Sequence, residues 1–153
     1  MVVAANVTSL HDARPEVDPA HDMDMTIGDI SELEIAGSQV LVGVYLRGER
    51  TAGGIIDPTQ IAEDKIQGKC VRVLKLGNTA FTGDNPGWNG NPPKVGDWVF
   101  HRAQDAAEIS VKGRGSVTSA ILKNYPQMRG AWPCRLVYAA DIYGRVADPN
   151  MVV

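Results

Sequence analysis

The chain has 153 residues, enough for one domain with a modest core and hardly enough for two. Hydrophobic residues make up 44% of it and charged residues 22%, an ordinary balance for a globular protein that excludes disorder throughout. The net charge of −3 is uneven: residues 1–25 hold five acidic residues and one arginine and so carry −4, which leaves +1 for the rest. This balance argues against a nucleic-acid partner or an anionic membrane, since both require a basic surface.

Residues 1–33 are predicted to form an extended acidic arm. No period of 2 or 3.6 residues is sustained there, and Pro15 and Pro19 interrupt the segment. The chain does not begin with a basic region followed by a long apolar run, and nowhere are 18 consecutive residues apolar. We therefore expect a protein that is neither secreted nor membrane-spanning.

Residues 34–153 are predicted to form one all-β domain. Apolar side chains alternate along SQVLVGVYLRGE, and five more runs have β-like composition: KCVRVLKLG, DWVFHR, AEISVKG, SVTSAIL and PCRLVYAADIYGRV. Two inserts are also predicted: residues 78–95, which are rich in glycine, asparagine and proline, and residues 115–132, which include the run SVTSAIL. Short strands between turns favour a small barrel or sandwich over a βαβ arrangement.

Metal-binding residues are few and scattered. His11–Asp12 and His21–Asp22 combine imidazole with carboxylate, but both pairs lie in the acidic arm, where solvated surface is the simpler explanation. Cys70 and Cys134 are too few for a disulfide framework and too isolated for a metal knuckle. We expect both thiols to be buried on strands in a protein from a reducing compartment, and we expect neither a metal ion nor a cofactor.

Catalytic patterns are equally sparse. KGRGS at residues 112–116 resembles a phosphate-binding loop, but no helix follows to direct its amides at a phosphate, so a hairpin turn is the better explanation. Asp97 and Glu108 are single carboxylates at strand edges, without a partner for acid and base work. We therefore predict that the protein is not an enzyme.

The order of four segments resembles the GroES-type co-chaperonins. The segments are QVLVGVYLRGERTAGGII, QGKCVRVLKLGN, PPKVGDWVFHR and CRLVYAADIYGRV, and the resemblance covers about residues 38–147. It implies a small irregular β-barrel whose subunits associate side by side, in the family as a sevenfold ring. It also implies a mobile loop that docks on a chaperonin cylinder, to which residues 52–68 correspond without a gap.

The tip of this loop gives the resemblance a physical basis. Gly53 and Gly54 permit backbone angles closed to other residues, while Ile55 and Ile56 can be buried in a partner's groove. Burial of two isoleucines contributes on the order of 3–6 kcal/mol, less the cost of ordering the loop. The alternative is that the two isoleucines begin a strand packed within their own subunit.

Asp57 departs from the family, which presents a third apolar residue at this position. An unpaired carboxylate in an apolar groove costs several kcal/mol, comparable with what the two isoleucines supply. A long arm and two inserts are further departures. Three aromatic residues in the inserts are candidate anchors for partner proteins or, alternatively, caps on the chain's own core: Trp88, Tyr125 and Trp132.

Two functions follow from these patterns. In the first, the protein is a homo-oligomeric structural subunit that cements or decorates a phage-type capsid, is located in the virion and contacts neighbouring proteins of that assembly. In the second, it is a divergent cytoplasmic co-chaperonin whose loop, with Ile55 and Ile56 at its tip, docks on a chaperonin ring and closes the folding chamber. Asp57 and the long arm favour the first function, and the intact loop spacing favours the second.

Overall fold

The structure is a computed structural model that describes residues 19–46, 70–82, 86–101, 106–112, 122 and 129–151. The helix α1 spans Pro19–Ile27 and precedes all of the described strands. In chain order the six strands are β1 Gln39–Val44, β2 Cys70–Leu76, β3 Trp98–His101, β4 Ala107–Val111, β5 Trp132–Tyr138 and β6 Ile142–Val146. Three single-turn 3-10 helices also occur, at Pro86–Trp88, Ala139–Asp141 and Pro149–Met151.

All six strands belong to one antiparallel sheet in the order β4-β5-β1-β2-β3-β6. The first strand of the chain lies near the centre, and β4 and β6 form the two edges. The prediction of an all-β fold is confirmed, because these strands coincide with the predicted runs to within a few residues. Among the described residues the sheet is open, so its closure into a GroES-like barrel stays a prediction.

The sheet buries side chains on both faces. One cluster, here called the valine core, is built mostly from β-branched residues: Val40, Val42, Val71, Val73, Ala80, Val99, Val137, Ala139 and Ile142. The other, here called the helix-side core, is larger and more varied: Met23, Ile27, Leu41, Val44, Tyr45, Leu46, Cys70, Trp98, Val111, Leu122, Trp132 and Cys134. Both Cys70 and Cys134 are thus buried on strands, as predicted.

Helix α1 corrects the prediction of an extended arm over residues 1–33. Met23 and Ile27 are one helical turn apart and are 0% and 2% exposed, so the helix contributes to the helix-side core. The sequence pattern indicates a break at Pro19, but this proline is the first residue of α1, where the missing N–H has no helical partner in any case. Residues 1–18 lie outside the described part of the chain.

Helix α1 packs closely on β1 because Gly43 has no side chain. A Cβ at this position would lie 2.5 Å from the sulfur of Met23. The guanidinium of Arg72 on β2 forms an ion pair with Asp24 of the helix and also donates through Nε to the Gly96 carbonyl, 3.3 Å away. One arginine therefore connects the helix, the sheet and the turn before β3.

The two inserts differ from their predicted extents. Within residues 78–95 the described part contains turns and one 3-10 helix but no strand, as the sequence indicated. The predicted insert over residues 115–132 is too long by one residue, since Trp132 is the first residue of β5. Of the predicted strand SVTSAIL, only Leu122 lies in the described part, where it is helical and buried.

Gly77 follows β2 at a point where two backbone segments nearly touch. Its N–H donates to the Gln39 carbonyl at 2.8 Å, and a Cβ there would collide with the carbonyl oxygen of Gly37. Gly37 has φ +59° and donates its N–H to Oδ1 of Asn78 at 3.1 Å. The Leu-Gly-Asn sequence that ends β2 is therefore required by a close backbone crossing.

We expect Gly77→Ala to lower the free energy of unfolding by at least about 2 kcal/mol, because backbone atoms cannot move aside as a flexible side chain can. Gly87→Ala is the matched control, since a Cβ at that position meets no atom within 4 Å, and it should change stability by less than about 0.5 kcal/mol. Urea denaturation measures both variants. Equal stability of the two variants would contradict the close approach of two backbone segments at Gly77.

Candidate interaction site

The predicted docking loop cannot be assessed from the described residues. Gly53, Gly54, Ile55, Ile56 and Asp57 all lie between the described residues 46 and 70. Tyr125 lies outside the described ranges as well. The roles proposed for these six residues therefore stay predictions.

Trp88 is the candidate anchor that the structure places at the surface. Its indole is half-buried at the end of the 3-10 helix Pro86–Trp88, with one side against the valine core. The ring makes an edge-to-face contact with Phe81, with centroids 6.2 Å apart, and the Arg145 guanidinium lies 5.3 Å from the indole centroid. Trp88 thus covers the chain's own core with part of its surface and leaves the rest exposed.

Arg145 fixes the turn-rich insert to the edge strand β6. Its guanidinium donates to the Asn91 carbonyl at 2.7 Å and to the Pro92 carbonyl at 3.5 Å. It also forms an ion pair with Asp97 at 3.1 Å, in which both side chains are about a quarter exposed. Because a guanidinium presents several donors in one plane, it can hold two loop carbonyls and a carboxylate together.

Asp97 belongs to the Lys-Val-Gly-Asp motif, and the structure shows what this motif does. The Asp97 carboxylate accepts the backbone N–H of Lys94 at 3.1 Å, and the Asp97 N–H donates to the Lys94 carbonyl at 3.0 Å, which closes a tight turn. Gly96 has φ +98° and donates to the Val73 carbonyl at 2.9 Å. Asp97, a single carboxylate in the sequence pattern, thus organises a turn that extends the pairing between β2 and β3.

Trp132 lies in the helix-side core, which is the second of the two alternatives given for it. Its side chain is 0% exposed, and its indole N–H donates to the Val44 carbonyl at 2.9 Å. A fully buried indole with a satisfied N–H has no surface to offer a partner in this conformation. The sequence indicated Trp132 as a candidate anchor but did not show that it is buried, because the residue was assigned to the insert and not to β5.

A buried polar pair that the sequence did not indicate lies across the sheet. Arg135 on β5 is 2% exposed and His101 on β3 is 0% exposed, with 3.1 Å between the arginine Nη1 and the histidine Nε2. A guanidinium can only donate, so Nε2 accepts and the ring proton of the neutral imidazole lies on Nδ1. Burial lowers the pKa of Arg135, and the charge of Glu108, opposite it on β4, opposes that shift.

The two thiols are suited to packing and not to chemistry. Burial raises the pKa of Cys70 to about 12, with a smaller contribution from the charge of Asp148. Burial also raises the pKa of Cys134 to about 12, although a hydrogen bond with the Val111 backbone acts in the opposite direction. Since the thiolate is the nucleophile and metal ligand, neither sulfur is activated.

Other chemistry is limited within the described ranges. No group of three or more histidine, cysteine, aspartate or glutamate side chains there is placed to hold a metal ion. His21 and Asp22 lie on α1, whereas His11 and Asp12 lie outside the described residues. No helix in the described part is long and apolar enough to cross a membrane.

The described surface does expose large apolar side chains: Met25, Leu33, Val95, Ile109, Tyr138, Tyr143 and Met151. Single exposed apolar residues are common, but Ile109 and Tyr138 lie on neighbouring strands β4 and β5. The two side chains therefore leave apolar surface on adjacent strands.

No protein-family model matches the chain, and no curated protein matches it with significance.

We expect the free energy of unfolding to fall as pH rises from about 9 to about 12. Each native thiol stays protonated up to about pH 12, whereas the thiols of the unfolded chain have the ordinary cysteine pKa of 9.0, so the unfolded state loses protons first. Below pH 9 the two thiols contribute no pH dependence.

Chemical denaturation at pH 8, 9.5 and 10.5 measures this slope in the native chain and in Cys70→Ala/Cys134→Ala. In the double variant the free energy of unfolding should fall less steeply with pH. The decline that remains comes from other groups that titrate in the alkaline range. Thiol labelling at pH 8 provides a second readout and should occur only after denaturation. Rapid labelling of the folded protein would contradict the burial of these thiols.

Proposed function

We propose that the protein is a non-enzymatic, oligomeric structural subunit of a larger assembly, of the type that cements or decorates a phage-type capsid and is located in the virion. The observation that carries this proposal is Asp57. The chain keeps the length of a co-chaperonin docking loop but places a carboxylate beside Ile55 and Ile56, where desolvation opposes capture by an apolar groove.

The described structure is compatible with a role in protein contacts. Several polar side chains hold segments of the same chain together: Arg72 binds α1, Arg145 binds the turn-rich insert, and Asp97 closes a turn. The cysteines are buried with raised pKa values. The described surface that could take part in such contacts includes the exposed part of Trp88, the exposed apolar side chains and the sheet edges.

The second candidate, a divergent co-chaperonin that caps a chaperonin chamber, is favoured by one specific observation. Two motifs of the resemblance occupy positions at which the fold needs them, Gly77 and Asn78 at a backbone crossing and Gly96 and Asp97 in a turn. A scaffold kept in this detail is compatible with a working loop between β1 and β2.

A retention experiment separates the two candidates. We expect the native chain not to be retained on an immobilised chaperonin with nucleotide present, because Asp57 would have to be buried unpaired. Asp57→Leu restores three consecutive apolar residues and should increase retention if the loop keeps the family's geometry. Band intensity after washing measures retention.

The controls are Ile55→Ser/Ile56→Ser for the loop and Val95→Ser for an exposed apolar residue elsewhere, 59% exposed in the turn before β3. Retention of the native chain that disappears in the double serine variant but persists in Val95→Ser would overturn the structural proposal in favour of the co-chaperonin. A high copy number of the protein in purified virus particles would support the structural proposal.

Deletion of residues 1–18 tests the role of the acidic segment. The deletion must stop before α1, because Met23 and Ile27 are core residues. We expect the shortened chain to lose its higher-order assembly in light scattering while its thermal unfolding midpoint stays within a few degrees of the native value. Deletion of residues 1–30 is the contrasting control and should lower the midpoint clearly. Unchanged assembly after the shorter deletion would contradict a role of residues 1–18 in contacts with neighbouring subunits.

A further inference from the structure

The two edges of the sheet differ in how well they are protected against pairing. At the β6 edge the register shifts between Phe100 and His101, the Phe100 ring lies over Gly144, and Arg145 carries the turn-rich insert. Irregular registers and covering loops are devices by which proteins block edge-to-edge association. The β6 edge is therefore poorly suited to accept another strand.

The β4 edge has none of these devices in the described part of the chain. Ala107–Val111 pairs with β5 in an uninterrupted register of five residue pairs without a bulge, and β4 itself contains no proline. Residues 107–110 are all exposed, whereas Val111 is buried. A regular, exposed edge strand presents a row of backbone donors and acceptors to a further strand.

An apolar strip lies alongside this edge on the helix side of the sheet. Ala107 and Ile109 pair with Leu136 and Cys134, so the side chains of each pair point to the same face. Tyr138 shares that face with Leu136 because side chains alternate along β5. Ile109 is 42% and Tyr138 53% exposed, which leaves apolar surface beside an unprotected edge.

The charges on β4 are arranged symmetrically about Ser110. Glu108 lies two residues before Ser110 and Lys112 two residues after it, and both side chains are exposed. In an antiparallel pair of identical strands centred on Ser110, residue 108 of each copy lies opposite residue 112 of the other. The pairing thus forms two opposite-charge contacts, and Ile109 lies opposite Val111.

The registers centred on Glu108, Ile109 or Lys112 lack this complementarity. Centring the pair on Glu108 or on Lys112 places like charges directly opposite each other, which is unfavourable. Centring it on Ile109 places Glu108 opposite Ser110 and leaves the charges without partners within β4. The sequence Glu-Ile-Ser-Val-Lys is therefore self-complementary in one register.

We propose that β4 pairs antiparallel with β4 of a second copy of this chain about a two-fold axis at Ser110, which joins two six-stranded sheets into one. The interface consists of backbone hydrogen bonds, two Glu108–Lys112 contacts and the apolar strip along Ile109. This inference goes beyond the proposed function and does not depend on which larger assembly contains the pair. A failed β4 pairing would leave the outcome of the chaperonin retention experiment unaffected.

Charge exchange tests the pairing in the full-length chain. We expect Glu108→Lys and Lys112→Glu, each alone, to weaken dimerisation on the order of tenfold, because both cross-strand contacts then join like charges. The double variant Glu108→Lys/Lys112→Glu restores opposite charges and should regain most of the lost affinity. Sedimentation velocity over a concentration series at low salt measures the dissociation constant.

Glu34→Lys is the matched control, since Glu34 is exposed and lies far along the chain from β4. Glu108 also faces the buried Arg135 within its own chain, so Lys112→Glu is the decisive single variant if Glu108→Lys unfolds. Dimerisation that is unaffected by Lys112→Glu, or a chain that is monomeric at all concentrations, would overturn the proposal.

Disulfide cross-linking tests the register. Ser110→Cys places two thiols directly opposite each other at the two-fold axis, a geometry within reach of a disulfide. Under mild oxidation we expect it to form covalent dimers at least tenfold faster than Tyr143→Cys, an exposed position on β6. The buried Cys70 and Cys134 contribute little background. Equal rates at the two positions, or faster cross-linking for Ile109→Cys, would overturn the register.

Discussion

The burial of β1 on both faces is the constraint on which the rest of the structure depends. β1 pairs with β2 on one side and β5 on the other, and five of its six residues are buried. A strand with both faces apolar requires a cover on each side. One cover is α1, whose Met23 lies over Gly43, and the other is the valine core, which the turn-rich insert closes with Trp88. The positions of α1 and of the turn-rich insert therefore follow from the burial of this central strand.

The covers are attached by cations and not by apolar contacts alone. Arg72 reaches from β2 to α1, and Lys75 donates to the carbonyls of Ile30 and Ser31 at 2.8 and 3.2 Å. Arg145 reaches from β6 to the turn-rich insert. Long side chains can bury their aliphatic stems and direct charged ends to loop carbonyls. These three basic side chains therefore hold neighbouring segments of the same chain in place.

The strands could be predicted from the sequence because their apolar runs are bounded by glycine or short polar turns, and all six strands coincide with predicted runs to within a few residues. Helix α1 was missed for two physical reasons. It is only nine residues long, and it begins at a proline that local rules treat as a break. The Arg135–His101 pair was beyond prediction, because β1 and β2 separate β5 from β3 in the sheet and the two side chains meet only through its three-dimensional shape.

The motifs that carry the family resemblance have structural explanations, and this limits what they say about function. Gly77 and Gly96 stand where the backbone has no room for a side chain or needs a positive φ, and Asp97 bonds a turn. Any chain with this crossing and this turn needs such residues, whatever it binds. The functional question therefore rests on residues outside these two structural motifs, above all Ile55, Ile56 and Asp57, whose roles stay predictions.

The surface that a contact between copies uses determines the symmetry of the assembly that it forms. A two-fold contact at β4 uses the same surface on both copies and therefore closes after two chains, while the irregular β6 edge remains outside it. The side-by-side ring implied by the family resemblance is a different kind of contact, because it joins two different surfaces of neighbouring chains. Combining a cyclic ring with a perpendicular two-fold axis gives dihedral symmetry, in which two rings lie back to back. An open sheet with one regular edge and one blocked edge is compatible with both contacts at once, since each can use a separate surface of the same chain.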